Sequence, residues 1–188
     1  MSNSIFIAAS IDGYITDRDN GLSFLDSVPN NENDDLGYND FIDTIDCIVM
    51  GRNTYDVVIG FGIEWPYTVP VFVLSNNLKS VSEQLQDKVE ILHGDVEEVV
   101  KFLHKRGYEN LYVDGKDVIR QFLEKDMIDD MTITTIPILL GSGIPLFTPM
   151  TESKMFSLVN TKVYIDDLVA SHFHRERDRD LDKKNNTE

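Results

Sequence analysis

Apolar residues follow two alternating patterns along the chain. Short, nearly continuous apolar runs predict buried strands, and longer segments in which apolar residues recur every three or four positions predict helices. An alternation of strands and helices is typical of an α/β fold with a mostly parallel sheet. The predicted strands are residues 4–9, 46–50, 69–74, 89–92, 111–113 and 131–139, and the predicted helices are residues 34–45, 52–59, 96–105 and 117–124.

The C-terminal part of the chain departs from this alternation. Residues 155–165 and 167–175 predict two antiparallel strands that are joined by a turn at Asp166. Residues 176–188 alternate in charge and hold too few apolar residues for a core, which predicts a disordered tail. We therefore expect one α/β domain over residues 1–175, with antiparallel strands at the C-terminal end of its sheet.

Composition narrows the classes of function. The net charge of −16 disfavours nucleic acid and anionic membranes as partners, because both repel an acidic surface. Cys47 is the single cysteine and lies in a predicted strand, so we expect a buried thiol, no disulfide and a cytoplasmic location. No run of about 18 apolar residues occurs, and no third ligand stands near His172 and His174. We therefore expect neither a membrane segment nor a metal site.

Small and polar residues follow five of the predicted strands, at the end where ligands bind in open α/β sheets. Gly51 and Arg52 are the most informative pair, because glycine lets a ligand approach the backbone and a guanidinium fits phosphate oxygens. The helix that starts at Arg52 also offers unpaired N–H groups to an anion. The strand ends together predict a site for a phosphate-bearing cofactor, and they are residues 8–10, 51–54, 75–77, 114–117 and 140–145.

Several of these segments resemble the dihydrofolate reductase superfamily. They are residues 8–15 with their Ser-x-Asp-Gly start, 49–55, 73–75, and 113–115 before a helix. The Ser-x-Asp-Gly start and residues 136–147 are more similar to one branch, the reductase domain of the bifunctional deaminase-reductase of riboflavin biosynthesis and its stand-alone relatives. The resemblance covers residues 4–174 and implies a three-layer α/β sandwich of the dihydrofolate reductase type. The deaminase half has no counterpart, since its zinc motif needs cysteines that this chain lacks.

The resemblance implies NADPH as the hydride donor, bound across the strand ends. Residues of the first strand and the following loop would lie along the nicotinamide. The residues after Gly51, at the third strand end and at the start of the later helix would meet the phosphates, and two late glycines would flank the reactive ring. The expected cofactor-binding residues are Ala8, Ala9, Ile15, Gly51, Arg52, Thr54, Leu74, Ser75, Asn76, Asp114, Gly115, Lys116, Asp117, Val118, Gly141 and Gly143.

Reduction also needs a proton, and Asp35 is the predicted donor. It shares a predicted helical face with Tyr38, and it precedes Gly51 by as many residues as the carboxylate of true dihydrofolate reductases precedes their corresponding glycine. An aspartate at a helix start also caps free N–H groups, so both roles stay open. Asp12, Tyr38 and Trp65 are the predicted substrate-binding residues, although a turn suits Asp12 and core packing suits the two aromatic residues.

The expected function is that of an NADPH-dependent reductase of a small heterocyclic or carbonyl substrate. It is most similar to the riboflavin-type reductase, which acts on 5-amino-6-(5-phosphoribosylamino)uracil. Two alternatives stay open: a dihydrofolate reductase in the strict sense, which Asp35 would support, and a non-catalytic NADPH-binding or interaction protein. The resemblance also implies a homodimer, and the apolar strand over residues 155–165 could form a sheet edge that needs covering.

Overall fold

A computed structural model describes residues 1–30, 34–165 and 167–178 of the chain. The strands are β1 (Ser2–Ser10), β2 (Tyr14–Thr16), β3 (Cys47–Gly51), β4 (Val71–Leu74), β5 (Val89–Leu92), β6 (Asn110–Asp114), β7 (Asp130–Ile136), β8 (Ile144–Pro145), β9 (Phe156–Tyr164) and β10 (Leu168–Arg175). The α-helices are α1 (Tyr38–Ile42), α2 (Arg52–Gly60), α3 (Val96–Lys105) and α4 (Lys116–Glu124). Two short 3-10 turns cover Ser23–Ser27 and Glu83–Leu85.

Eight strands form one sheet in the order β5-β4-β3-β6-β1-β7-β10-β9, while β2 and β8 form a separate pair. The pairs from β5 to β1 are parallel, and β10 is antiparallel to both of its neighbours. This confirms the predicted α/β fold with a mostly parallel sheet and antiparallel C-terminal strands. The chain comprises two compact units, unit 1 with residues 1–5 and 38–127, and unit 2 with residues 6–37 and 128–188. The single domain expected over residues 1–175 stays a prediction.

The core of unit 1 is a set of short apolar strands covered by amphipathic helices. Residues 47–50 of β3 are buried, as are residues 71–73 of β4 and 111–113 of β6, which is typical of parallel strands. Helix α3 buries four apolar side chains, and the Asp95 carboxylate caps it by accepting from the Glu97 N–H. Cys47 is buried, and this burial raises the pKa of its thiol to about 12, so the thiol carries no nucleophilic chemistry near neutral pH.

The core of unit 2 lies between the antiparallel strands and the 3-10 turn near its start. Phe24, Val28, Ile136, Tyr164, Leu168 and Ala170 form this core. Strand β9 lies at the edge of the sheet, and three of its apolar side chains are more than half exposed: Leu158, Val159 and Val163. Of the tail that the sequence predicts as disordered, Arg177 donates a hydrogen bond from Nη1 to Asp129 at 2.8 Å, and residues 179–188 lie outside the described residues.

Helix α1 and strand β7 are both shorter than the sequence predicts. Helix α1 begins at Tyr38 instead of residue 34, because Leu36 and Gly37 have positive φ angles and their N–H groups bond to the Asp34 and Asp35 carboxylates. Such local bonds compete with helical hydrogen bonding. Strand β7 ends before Pro137, whose nitrogen has no hydrogen to donate to a sheet. The turn predicted at Asp166 falls on a residue outside the described ones.

The polar segment after β1 holds structure that the hydrophobic pattern does not predict. Residues 14–16 pair as β2 with β8, and Thr16 Oγ1 accepts from the Ile144 N–H at 3.3 Å. This pairing is between segments far apart in sequence, and neither has the strand-like alternation that a local pattern can detect. No helix among the described residues is long and apolar enough to cross a membrane.

Candidate functional site

Helices α2 and α4 of unit 1 begin directly after strands, with glycine at both starting points. Gly51 precedes α2 and Gly115 precedes α4, and neither helix receives a side-chain cap. Helix α3, in contrast, has the Asp95 cap. The first N–H groups of an uncapped helix need partners, and an anionic ligand supplies them. Both uncapped starts lie at the carboxyl ends of neighbouring parallel strands, where Met50 pairs with Asp114.

The two helix starts are in contact with each other. Gly115 has a φ angle of 83°, and a Cβ atom added to it would overlap the Thr54 hydroxyl of α2. A Cβ atom added to Gly51 would lie 3.4 Å from the Val118 Cγ2 atom of α4. Glycine at position 115 is therefore required both by the backbone angle and by the neighbouring helix. The contact brings the N–H groups of both helix starts to one place in unit 1.

Positive charge lies at each of these helix starts. The Arg52 side chain is half exposed and pairs with Asp56, with 3.2 Å between Nε and Oδ2. Exposed pairs of this kind contribute at most about 1 kcal/mol, so Arg52 can turn toward a phosphate at small cost. Lys116 is partly buried and makes no ion pair with any described residue. The carboxylate of Asp117, in the first turn of α4, opposes an anion at this helix start, so the expected contact of Asp117 with the cofactor stays a prediction.

The end of β4 belongs to the same edge of unit 1. Leu74 pairs in register with Gly51, and the following Ser75 hydroxyl oxygen accepts from the N–H groups of Asn77 and Leu78. Its hydrogen stays available for donation, and Asn76 beside it is exposed. His93 Nδ1 contacts the Ser75 carbonyl oxygen, which places an exposed imidazole at this edge. His93 was not among the predicted site residues, although a polar residue directly after the predicted strand 89–92 was a usable signal.

Asp12 of unit 2 holds a glycine-containing loop in place. Its carboxylate accepts from the Ser10 hydroxyl at 2.6 Å, the Leu140 N–H at 3.1 Å and the Gly141 N–H at 2.7 Å. The Ser10 hydrogen bond is the largest cause of the lowered pKa of Asp12. These bonds support the turn role that the sequence left open for Asp12, and its substrate contact stays a prediction.

The other expected residues of unit 2 lie near this turn or follow it in sequence. Ala9 is buried and Ala8 is partly buried in β1, and Ile15 lies in β2. Gly141 has a φ angle of 72° and open space where a Cβ would stand. A Cβ on Gly143 would overlap the Thr16 carbonyl oxygen, so this glycine is needed for the contact between β2 and β8. The nicotinamide and ring contacts expected of these residues stay predictions.

A second carboxylate, Asp114 of unit 1, lies in a very different setting. It ends β6, and its Oδ1 atom accepts from the Gly115 N–H at 2.8 Å. Burial is the largest influence and raises the pKa of Asp114 to about 6, against the hydrogen bonds from Gly115 and the Tyr112 hydroxyl. The tyrosines Tyr38, Tyr67 and Tyr112 are electrostatically coupled to this carboxylate. Local sequence patterns contain no signal for such a pKa shift, which depends on packing.

Asp35, the predicted proton donor, is exposed in the segment before α1. Its Oδ1 atom accepts from the Gly37 N–H at 2.9 Å. The Gly37 N–H precedes the first residue of α1, so this bond closes a turn before the helix, and the capping and catalytic roles of Asp35 both stay predictions. In the part of the chain that the structure describes, no group of three or more His, Cys, Asp and Glu side chains could hold a metal ion.

Known proteins share both the sequence pattern and the fold. Residues 4–170 match the family described as the RibD C-terminal domain. The solved structure of a candidate riboflavin biosynthesis protein from Shewanella sp. PV-4 has 44% sequence identity and a TM-score of 0.92. The alignment covers 94% of this chain and 100% of that chain.

Two more distant structures share the fold alone. The diaminohydroxyphosphoribosylaminopyrimidine deaminase/5-amino-6-(5-phosphoribosylamino)uracil reductase of Thermotoga maritima has 13% identity and a TM-score of 0.70, over 93% of this chain and 56% of that chain. Dihydrofolate reductase from Enterococcus faecalis, complexed with NADP(H) and RAB-propyl, has 20% identity and a TM-score of 0.64, over 93% of this chain and 96% of that chain. The chain therefore belongs to the RibD C-terminal domain family, a family of the dihydrofolate reductase-like fold.

Proposed function

We propose that the protein is an NADPH-dependent reductase that transfers hydride to a small heterocyclic or carbonyl substrate. The observation that carries the proposal is the meeting of two uncapped helix starts at Thr54 and Gly115 in unit 1, beside Arg52 and Lys116. Membership of a riboflavin-type reductase family supports it, and so does the NADP(H) complex of the structurally similar dihydrofolate reductase.

The residues of unit 1 fit the phosphates of such a cofactor. The N–H groups at the starts of α2 and α4 would donate to the pyrophosphate, where glycine keeps the backbone accessible. Arg52, Ser75 and His93 would meet the 2′-phosphate, because they present a guanidinium, a hydroxyl and an imidazole near neighbouring strand ends. The bound cofactor supplies the hydride, and the protein orients it and positions the acid.

Three parts of the functional prediction need experiments of their own. Asp35 remains the predicted proton donor, and slower turnover of Asp35→Asn with unchanged cofactor affinity would support it. Dihydrofolate reductase in the strict sense stays an alternative, which the shared fold supports and which a catalytic Asp35 would support further. NADPH binding without turnover of dihydrofolate or the riboflavin precursor would favour the non-catalytic alternative.

The homodimer also stays a prediction, for which β9 with its exposed Leu158, Val159 and Val163 is the candidate edge.

A fluorescence titration of the protein with NADPH and with NADH tests the proposed function. We expect wild type to prefer NADPH, and Arg52→Ala to weaken NADPH binding by about 10- to 100-fold while NADH binding changes little, since a charge-assisted hydrogen bond contributes about 1.5–3 kcal/mol. Arg120→Ala is the matched control, because Arg120 pairs with Glu124 of α4 as Arg52 pairs with Asp56 of α2. Equal losses for both cofactors, or no NADPH binding by wild type, would contradict the assignment.

A further inference from the structure

Three polar residues of unit 1 follow strand residues that are paired side by side. Gly51 of β3 pairs in register with Leu74 of β4, and Leu74 pairs with Leu92 of β5. All three strands are parallel, so the residues that follow stand in one row, and they are Arg52, Ser75 and His93. Neighbouring strands lie about 4.8 Å apart. The two outer side chains of the row can therefore reach one phosphate that is bound above the middle residue.

The contact between His93 and Ser75 assigns the hydrogen of the imidazole ring. His93 Nδ1 contacts the Ser75 carbonyl oxygen, and a carbonyl oxygen can only accept a hydrogen bond. The hydrogen of the neutral ring is therefore on Nδ1, and Nε2 has a lone pair. Only the protonated ring has a second N–H group, at Nε2. The exposed ring thus accepts through Nε2 in one state and donates through it in the other.

Charged groups of both signs lie around His93. From α3, Asp95 caps the helix start, and the Glu98 carboxylate lies 3.1 Å from where a Cβ atom would stand on the residue after His93. From α2 comes Arg52, which pairs with Asp56. The carboxylates of α3 favour the protonated ring, and the guanidinium opposes it. A phosphate between the two cations removes this opposition, so binding of the phosphate and protonation of the ring favour each other.

We propose that His93 makes the choice between NADPH and NADH depend on pH. The protonated ring donates from Nε2 to the 2′-phosphate of NADPH, beside Arg52 and the Ser75 hydroxyl. The neutral ring presents a lone pair there, which repels a phosphate and accepts from the 2′-hydroxyl of NADH. Histidine gains its charge within about pH 5–8, so the preference for NADPH should rise as pH falls through this range. This inference rests on the proposed reductase function, for which it names a specificity-determining residue.

The test is a fluorescence titration of the whole protein with NADPH and with NADH, at about pH 6 and at about pH 8. Wild type is compared with His93→Gln, which keeps a polar side chain and cannot take up a proton. At the lower pH, the ratio of NADPH affinity to NADH affinity should be about 10-fold larger in wild type, because a charge-assisted hydrogen bond is present. At the higher pH, the two proteins should agree within about 2-fold. The 2′-phosphate also gains a proton near about pH 6, which affects both proteins alike.

His172→Gln is the matched control, because His172 is a histidine of unit 2 whose Nε2 atom contacts Asp130. It should keep the wild-type ratio at both pH values. Nitrogen NMR of the His93 ring gives a second readout, and in the neutral ring it should show the hydrogen on Nδ1.

Two results would overturn the role of His93 while NADPH binding itself stands. One is an equal affinity ratio in wild type and His93→Gln at the lower pH, and the other is a neutral ring with its hydrogen on Nε2. Absence of NADPH binding to wild type at both pH values would refute the reductase, and the role of His93 with it.

Discussion

The dipeptide Asp-Gly occurs twice at or just after the end of a strand, once in each unit. The pKa values of the two aspartates are shifted in opposite directions. Asp12 is exposed and accepts three hydrogen bonds, which lowers its pKa. Asp114 is surrounded by tyrosines, and burial raises its pKa to about 6. The glycines that follow have nearly equal φ angles, 81° at Gly13 and 83° at Gly115. The same dipeptide, with a nearly equal φ angle at its glycine, thus carries a carboxylate whose pKa is lowered in one unit and raised in the other.

The ionised carboxylate of Asp12 stabilises the fold, whereas the ionised carboxylate of Asp114 destabilises it. The oxygens of Asp12 are used by a hydroxyl and two N–H groups of the protein, so its charge is compensated where it stands. For Asp114, the free-energy cost of desolvating the charged carboxylate exceeds the stabilisation from its hydrogen bonds with Gly115 and Tyr112. Groups held in an unfavourable ionisation state are concentrated at functional sites, because the same placement that costs stability serves a ligand.

The largest effect is expected for Gly115→Ala, and Gly13→Ala is the variant to compare with it. Gly115→Ala should lower the free energy of unfolding by about 3–5 kcal/mol, because backbone strain adds to overlap with the Thr54 hydroxyl. Gly13→Ala should cost about 1–2 kcal/mol, since strain acts alone where no atom lies within 4 Å of the added Cβ. Urea unfolding measures both. Equal losses would mean that the contact between α2 and α4 adds nothing to the requirement for glycine.

A smaller effect, with the opposite sign, is expected for Asp114→Asn. The folded-state pKa of about 6 lies above the ordinary 3.8, so the native state binds the proton more tightly and stability falls as pH rises between these values. The penalty is complete above about pH 6 and amounts to about 3 kcal/mol at about 1.4 kcal/mol per pKa unit. Urea unfolding should therefore show Asp114→Asn more stable than wild type at pH 8 and close to it at pH 4. A variant that is less stable at pH 8 would show that the charge is compensated.

The smallest effect is expected for Asp12→Asn, and it has the other sign. Both carboxylate oxygens accept N–H groups, so the amide NH₂ of asparagine would face a donor. The lowered pKa means that the contribution of Asp12 is present above its unfolded-state value and is lost as pH falls through the folded-state value. Thermal unfolding should give a lower Tm for the variant at pH 7, and the difference should shrink in acid. An unchanged Tm at pH 7 would mean that contacts other than those of Asp12 hold the loop at Leu140 and Gly141 in place.

Most of the fold could be predicted because its elements are locally encoded. Strand β5 and helix α3 have the bounds that the hydrophobic pattern predicts, since apolar runs and helical spacing are properties of neighbouring residues. Helix α1 was predicted too long, because apolar spacing does not reveal carboxylates that bond to the N–H groups of Leu36 and Gly37. The pairing of β2 with β8 was missed, because it joins segments that are distant in sequence.

The sequence by itself determined where the chain turns from strand to helix, and which strand ends carry glycine, arginine and small polar residues. These features depend on a few consecutive residues, so Gly51–Arg52 and Asp114–Gly115 could be found without coordinates. Only the tertiary structure decided that Thr54 lies against Gly115, that Trp65 buries an unmet N–H, and that Asp12 and Asp114 ionise differently. Contact and desolvation are set by residues brought together from many positions, and no local pattern records which of them will meet.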